Sequence, residues 1–202
     1  TSVTEGQSIV SFTHNDNQIR IAVEPPAQQN ERRNYTVNYR GVPVDGLVIA
    51  DNRHGDRTFS ADNWPNKTRH WLPTVDHPYD KATCEFIIEA PHHYQVVANG
   101  LKQEESYLVS GRKLTHWKQS VPISTWLMVI SVGKYAVRYQ DVYKGISIET
   151  WVFPQDREAG FFDFARARRP LDFFNTHIGE YPYEKLANVQ VTAPVGATEA
   201  AT

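Results

Sequence analysis

The chain has 202 residues, 40 % hydrophobic and 22 % charged, enough for one large folded domain or for a domain and the start of another. That composition excludes a disordered chain. With 21 basic and 23 acidic residues and a formal charge of -2, it offers no electrostatic case for nucleic acid or an anionic membrane surface. No stretch reaches the roughly 18 consecutive apolar residues of a transmembrane helix, so no transmembrane segment is expected. Thr1 is not followed by a basic-then-apolar leader, and the opening residues read as the interior of a longer sequence. The single cysteine, Cys84, excludes an internal disulfide and leaves the compartment open.

From the start to about Pro154 the hydrophobic period is two. Ile19, Ile21 and Val23 share one face of a short strand, as do Tyr35, Val37 and Tyr39 in the next. Between Ala82 and Ala90, Cys84, Phe86 and Ile88 alternate with Glu85 and Glu89. Tyr94 to Ala98 runs into Asn99-Gly100, a strong turn signal. Strands are then expected at Lys113 to Gln119, Trp126 to Val132, Tyr135 to Gln140 and Ile146 to Phe153. Many short strands punctuated by Gly, Pro and Asn predict a large antiparallel β-domain.

After Pro154 the period changes. Phe164, Ala167, Leu171, Phe174 and Ile178 recur at helical steps, beside Arg166, Arg168 and Arg169. Pro170 predicts a kink or two abutting helices, and Gly179 with Pro182 predicts the stop. A strand over Leu186 to Val191 begins a mixed α/β unit. The boundary is placed near Gln155 to Ala159, giving domains 1–156 and 157–202.

Candidate chemistry is sparse. None of the eight histidines has the spacing of His-Glu-x-x-His, in which two imidazoles share one helix face. His177 and Glu180 lie at a helix end, and His92 and His93 point to opposite faces of a strand. Cys84 sits in an alternating strand, where a thiol is ordinarily buried and inert. No Gly-x-Ser-x-Gly elbow or Walker loop occurs. The dense stretch is Ala61 to Lys81, which carries Pro65, Pro73, Pro78, Trp64 and Trp71 just before a strand. Prolines stiffen such a loop and the indoles supply contact area, so it could line a ligand cleft or simply cap the core.

Several blocks in this order resemble a known family. Arg69-His70-Trp71-Leu72-Pro73, Asp76-His77-Pro78 and Lys81-Ala82-Thr83 resemble the signature loop of the aminopeptidase N (alanyl aminopeptidase) family of zinc metallopeptidases. Val96 to Gly100 resembles the strand and turn that follow there, and Trp126 to Tyr135 the late strand of its N-terminal domain. Phe173-Phe174, Gly179, Tyr181-Pro182-Tyr183 and Lys185-Leu186 resemble the opening of its catalytic domain. Gly196-Ala197-Thr198-Glu199-Ala200 falls where the family has Gly-x-Met-Glu-Asn. The resemblance covers about Thr58 to Thr202.

What the resemblance implies is a mainly β chain: a saddle-shaped antiparallel β-sandwich domain followed by the first helix and strand of a thermolysin-like α/β domain, cut before the zinc motif. It implies a hydrolase that removes N-terminal residues from peptides with a free N-terminus. Glu199 would bind the substrate ammonium beside Gly196 and Ala197, and a residue of the Ala61 to Trp64 region, Asp62 or Asn63, would help line the first side-chain pocket. Thr198 and Ala200 depart from the usual Met and Asn. Zinc is expected in the full-length parent, with no metal ligand, cofactor or catalytic residue in this fragment, which would be one wall of the cleft and inactive alone. Its partner would be the remainder of the catalytic domain. The alternatives are a non-catalytic scaffold or interaction protein of the same fold and, on the five tryptophans, a carbohydrate-binding β-sandwich.

Overall fold

The structure, a computed structural model, describes residues 1–192. In chain order the strands are β1 (Ser2–Glu5), β2 (Ser8–Ile9), β3 (Phe12–Asn15), β4 (Gln18–Ile21), β5 (Tyr35–Asn38), β6 (Leu47–Asp51) and β7 (Arg57–Ala61). After a 3-10 turn at Thr68–His70 come β8 (Lys81–Pro91), β9 (Gln95–Ala98), β10 (Leu101–Tyr107) and β11 (Arg112–Ser124). A second 3-10 turn, Thr125–Leu127, leads to β12 (Ile130–Gly133), β13 (Ala136–Tyr143) and β14 (Ile146–Val152). Helices α1 (Arg157–Asp163) and α2 (Arg168–His177) precede the last strand, β15 (Lys185–Val189). The chain is thus mainly β with a late helical section, as the alternating pattern and the resemblance imply.

The sheets are small and open: β2-β1-β5, the hairpin β3-β4, β6-β7-β12-β9, β10-β11-β8 and β13-β14-β15. Every pairing is antiparallel except β14 with β15, which is parallel and requires the helical crossover between them. In β8 the expected alternation holds, with Glu85, Ile87 and Glu89 exposed and Cys84, Phe86 and Ile88 turned inward. The main core lies where sheets meet and is built from Val96, Val97, Trp117, Val132, Tyr135, Trp151 and Phe153. A second cluster, Tyr143, Ile148 and Leu171, seats α2 on the last sheet.

The Asn99-Gly100 turn carries the chain from β9 in one sheet to β10 in another. Gly100 has φ +75° and lies so close to Lys118 that a Cβ would stand 1.9 Å from its carbonyl oxygen, which only glycine tolerates. Pro122 falls inside an irregularity of β11, between the paired residues Gln119 and Ile123, where a missing N–H breaks no ladder bond. There the Glu184 carboxylate accepts from the backbone N–H of Ser120 at 3.2 Å.

Two expectations are sharpened by the structure. The continuous strand expected over Trp126 to Val132 is a 3-10 turn at Thr125–Leu127 followed by a shorter strand, Ile130–Gly133. Side chains take the bonds a ladder would use: Asn99 Nδ2 donates to Leu127 O (2.9 Å), Val129 N donates to Asn99 Oδ1 (2.6 Å), and Asn63 Nδ2 donates to Met128 O (2.6 Å). The proline-broken helix is two helices joined by a 3-10 turn at Phe164–Arg166. Pro170 sits in the first turn of α2, where its missing N–H would have no helical partner.

The change of period at Pro154 is also a change of structure, since β14 ends at Val152 and the helical section opens at Pro154. Because β15 adds to β14, the segments on either side of Asp156 share one sheet. Phe162, Phe173 and Phe174 of the helices and Ile178 just past α2 are exposed, and Phe174 lines an apolar groove of about 590 Å³ together with Phe164, Ala167, Pro170 and Leu171.

Candidate functional site

The loop between β7 and β8 is pinned along its length. Asp62 N donates to Gly46 O and Lys67 N to Asn63 O, both at 2.8 Å. Gly46, at φ +76°, would put a Cβ 2.2 Å from Lys67 O, so this approach requires glycine. Asn63 is buried and its carboxamide is used at both ends, by Met128 O and by Trp71 Nε1, which donates to its Oδ1 at 2.8 Å. Thr68, fully buried, donates to Thr125 O at 3.2 Å. Arg69 donates from N and Nε to Asp76 Oδ2, each at 3.1 Å, and Ser124 Oγ donates to Pro78 O at 2.6 Å. The Trp71 ring stacks on Phe86 with 6.3 Å between centroids.

These clamps tie the loop to the Thr125–Leu127 turn and present two indoles together. Trp64 is 63 % exposed and stands edge-on to Trp126, with centroids 5.0 Å apart. Of the two pocket candidates, Asn63 is an internal framework residue in this geometry. Asp62 is half-buried, and its carboxylate lies 3.8 Å from Lys67 Nζ, which also approaches Asp45. The amine-anchor candidates Glu199, Gly196 and Ala197 lie outside the described residues.

The strand that leads toward them is fixed at both ends. At its start, Lys185 is fully buried, donates from Nζ to Ala98 O at 3.1 Å and lies 5.2 Å from the Trp117 ring centre. Burial pulls its pKa down to about 8, against the opposing pull of Glu149 and Glu184. At its finish, Gln190 N donates to Trp151 O at 2.8 Å, and Gln190 Nε2 donates to Asp156 Oδ2 at 2.7 Å. Asp156 also accepts from Arg53 and His54; the Arg53 guanidinium, then His54, hold its carboxyl far below the usual carboxylate range.

Among the described residues no group of three or more His, Cys, Asp or Glu is placed to hold a metal ion. His177 Nδ1 donates to Phe173 O at 2.8 Å and His92 Nδ1 to Gly111 O at 3.0 Å, so each is engaged by backbone. Burial raises the Cys84 thiol to about 11, which suits a core position and not a nucleophile. Among the described residues no helix is long and apolar enough to cross a membrane.

Residues 2–127 match the Peptidase M1 N-terminal domain. The chain belongs to the peptidase M1 family. Glutamyl aminopeptidase of Mus musculus is 25 % identical over 134 residues, covering 65 % of this chain and 14 % of that protein. Aminopeptidase 2 of Candida albicans is 26 % identical over 137 residues, covering 67 % of this chain and 15 % of its own length. An M1 zinc metallopeptidase from Deinococcus radiodurans superposes with a TM-score of 0.74 at 22 % identity, over 93 % of this chain and 45 % of that one. A two-domain M1 zinc metallopeptidase mutant bound to L-tryptophan gives a TM-score of 0.80 at 22 % identity, over 93 % of this chain and 45 % of that one. These likenesses in structure establish the M1 fold. The chain spans about one seventh of the curated M1 relatives it matches and under half of the solved structures.

The 61–81 loop and the strand before Glu199 are marked in the sequence, whereas the burial of Lys185 and the role of Asp156 as a hub are not. The one visible signal for Lys185 was a lysine heading an apolar strand. Nothing local marks Asp156, whose partners come from residues 53, 54 and 190.

Proposed function

We propose that this chain is the N-terminal part of a zinc-dependent aminopeptidase, a hydrolase that removes N-terminal residues from peptides with a free N-terminus. The observation that carries this reading is the match of residues 2–127 to the Peptidase M1 N-terminal domain, with the pinned 61–81 loop inside it. A related M1 zinc metallopeptidase from Deinococcus radiodurans, bound to a Tyr-Ser-Ala substrate, supports the substrate class. In this reading residues 1–156 form the β-domain and one wall of the cleft, and residues 157–202 begin the catalytic domain. The remainder of that domain covers the groove and exposed phenylalanines of α1 and α2.

Zinc, in the parent, supplies Lewis-acid activation of water and is held by residues outside this chain. This chain contributes binding and orientation. Glu199, beside Gly196 and Ala197, anchors the substrate ammonium, and Asp62 is the pocket-facing member of the Asp62-Asn63 pair. Asn63 acts one step behind it by holding the turn. The isolated fragment is inactive.

The test is hydrolysis of an aminoacyl-anilide and of a peptide with and without an N-acetyl cap. The zinc-loaded parent should cleave the free-amine substrates and neglect the capped one, and the isolated fragment should cleave neither. Glu199→Ala in the parent should cost roughly 30- to 1,000-fold in kcat/KM, the range expected for loss of a charge pair in a partly solvated site. Turnover by the isolated fragment would defeat the claim of inactivity. An unchanged preference for free over capped termini in Glu199→Ala would defeat the anchor.

A further inference from the structure

We propose that Trp64 and Trp126 are specificity-determining residues: they form an aromatic corner that takes a large, uncharged aromatic side chain on the N-terminal residue of the substrate. This rests on the aminopeptidase reading given above and adds to it the class of peptide that the site prefers.

Trp64 is the exception in its loop. Trp71 is stacked on Phe86 and donates to Asn63, whereas Trp64 is 63 % exposed. An indole carries one of the largest apolar surfaces of any side chain, and leaving most of it in water forgoes burial that would stabilise the fold. The backbone around it is nevertheless fixed. Asn63, the residue before it, is buried and donates to Met128 O, and Thr68, four residues after it, is fully buried and donates to Thr125 O. Trp126 lies in the chain between those two acceptors, so the same two clamps set both indoles. Their ring centres are 5.0 Å apart and their planes are inclined at 73°. Two planes so inclined make a corner, in which a third ring can stack on one face and meet the other edge-on. Those are the two arrangements that aromatic pairs prefer.

The corner has both walls within this chain and is held by buried bonds before any ligand arrives, which is what a selective site requires. It also continues the pocket candidate, since Asp62 stands two residues before Trp64 on the same pinned loop. The charges nearby favour an uncharged guest over an acidic one. Lys67 lies 3.3 Å from Asp45 and 3.8 Å from Asp62, and Arg69 is bonded to Asp76. The lysine and the arginine closest to Trp64 in the chain are thus both engaged by carboxylates, and Lys67 is shared by two. The loop offers these cations to no further anion, and its surplus carboxylate repels an acidic side chain.

The experiment resolves kcat and KM of the zinc-loaded parent on phenylalanyl-, alanyl-, arginyl- and glutamyl-anilides. The phenylalanyl substrate should exceed the alanyl one at least about tenfold in kcat/KM, and the glutamyl substrate should be the poorest. Trp64→Ala removes an exposed ring and should lower the phenylalanyl-to-alanyl ratio about tenfold, mostly through KM for the aromatic substrate. Trp64→Phe should restore most of that ratio, and Trp126→Ala should lower it in the same direction. A residue that served the fold alone would depress both substrates together and leave the ratio in place. The wild-type ratios test the inference even where a variant does not fold. The inference alone is overturned if the parent cleaves the alanyl substrate without favouring the phenylalanyl one, or if Trp64→Ala leaves their ratio unchanged. It is also overturned if arginyl is preferred to phenylalanyl, which would assign the pocket to Asp62. If the parent cleaves none of the four, the aminopeptidase reading and this inference fall together.

Discussion

The indole of Trp71 and the carboxamide of Asn63 hold each other at 2.8 Å in the interior of the β7–β8 loop, and the same carboxamide donates to Met128 O at 2.6 Å. One buried side chain thus joins the loop to the turn that carries Trp126.

Removing it orphans two groups at once. Asn63→Ala should destabilise the chain by roughly 2–6 kcal/mol, since each buried donor or acceptor left without a partner costs about 1–3 kcal/mol. Urea unfolding checks it. A loss below about 1 kcal/mol would mean that water replaces both bonds.

The loop should exchange slowly. Lys67 N donates to Asn63 O, and Trp71 N and Leu72 N both donate to Thr68 O. In hydrogen exchange these amides should be protected at least about a hundredfold more than those of the exposed coil at residues 40–42. Equal rates would show a loose loop.

Lys185 should give the chain a signature at alkaline pH. Its pKa is about 8 folded against the ordinary lysine value of 10.5. Between those values the unfolded state binds more protons, so stability rises with pH through that window. At about 1.4 kcal/mol per pH unit, the gain over the whole window is roughly 3–4 kcal/mol. Tyr135, Tyr143 and Cys84, whose pKa values are raised, pull the other way at high pH, so the comparison is with Lys185→Met. The wild type should gain on that variant from pH 7.5 to about 10. Parallel curves would mean that the buried ammonium keeps its proton.

Cys84 should be slow to alkylate. With its pKa near 11, the thiolate fraction at about pH 8 is some two orders of magnitude below that of a free cysteine, and iodoacetamide should react correspondingly slowly. Labelling at the rate of glutathione would place the thiol in water.

Much of the fold was legible because it is local. The alternation of β8, the Asn99-Gly100 turn and the break before α2 are each written within a few residues. The turn at Thr125–Leu127 was not, because apolar Trp126 to Val132 reads as strand until Asn63 and Asn99 arrive from elsewhere in the chain and take its backbone groups. The site divides in the same way. The stiff aromatic loop was visible in its prolines and tryptophans, whereas the inward turn of Asn63, the burial of Lys185 and the junction at Asp156 are set by distant partners.

Strand β14 is bordered by neighbours acquired in different ways. Its bond to β13 closes across Lys144 and Gly145, a hairpin whose ends are already adjacent, while β15 returns only after residues 153–184. Loop closure makes the first contact early and the second late in folding. The chain should then acquire its strand toward Glu199 last, onto a β scaffold already formed, and lose it first. During synthesis the scaffold would stand ready as a template before the segment it must receive has emerged.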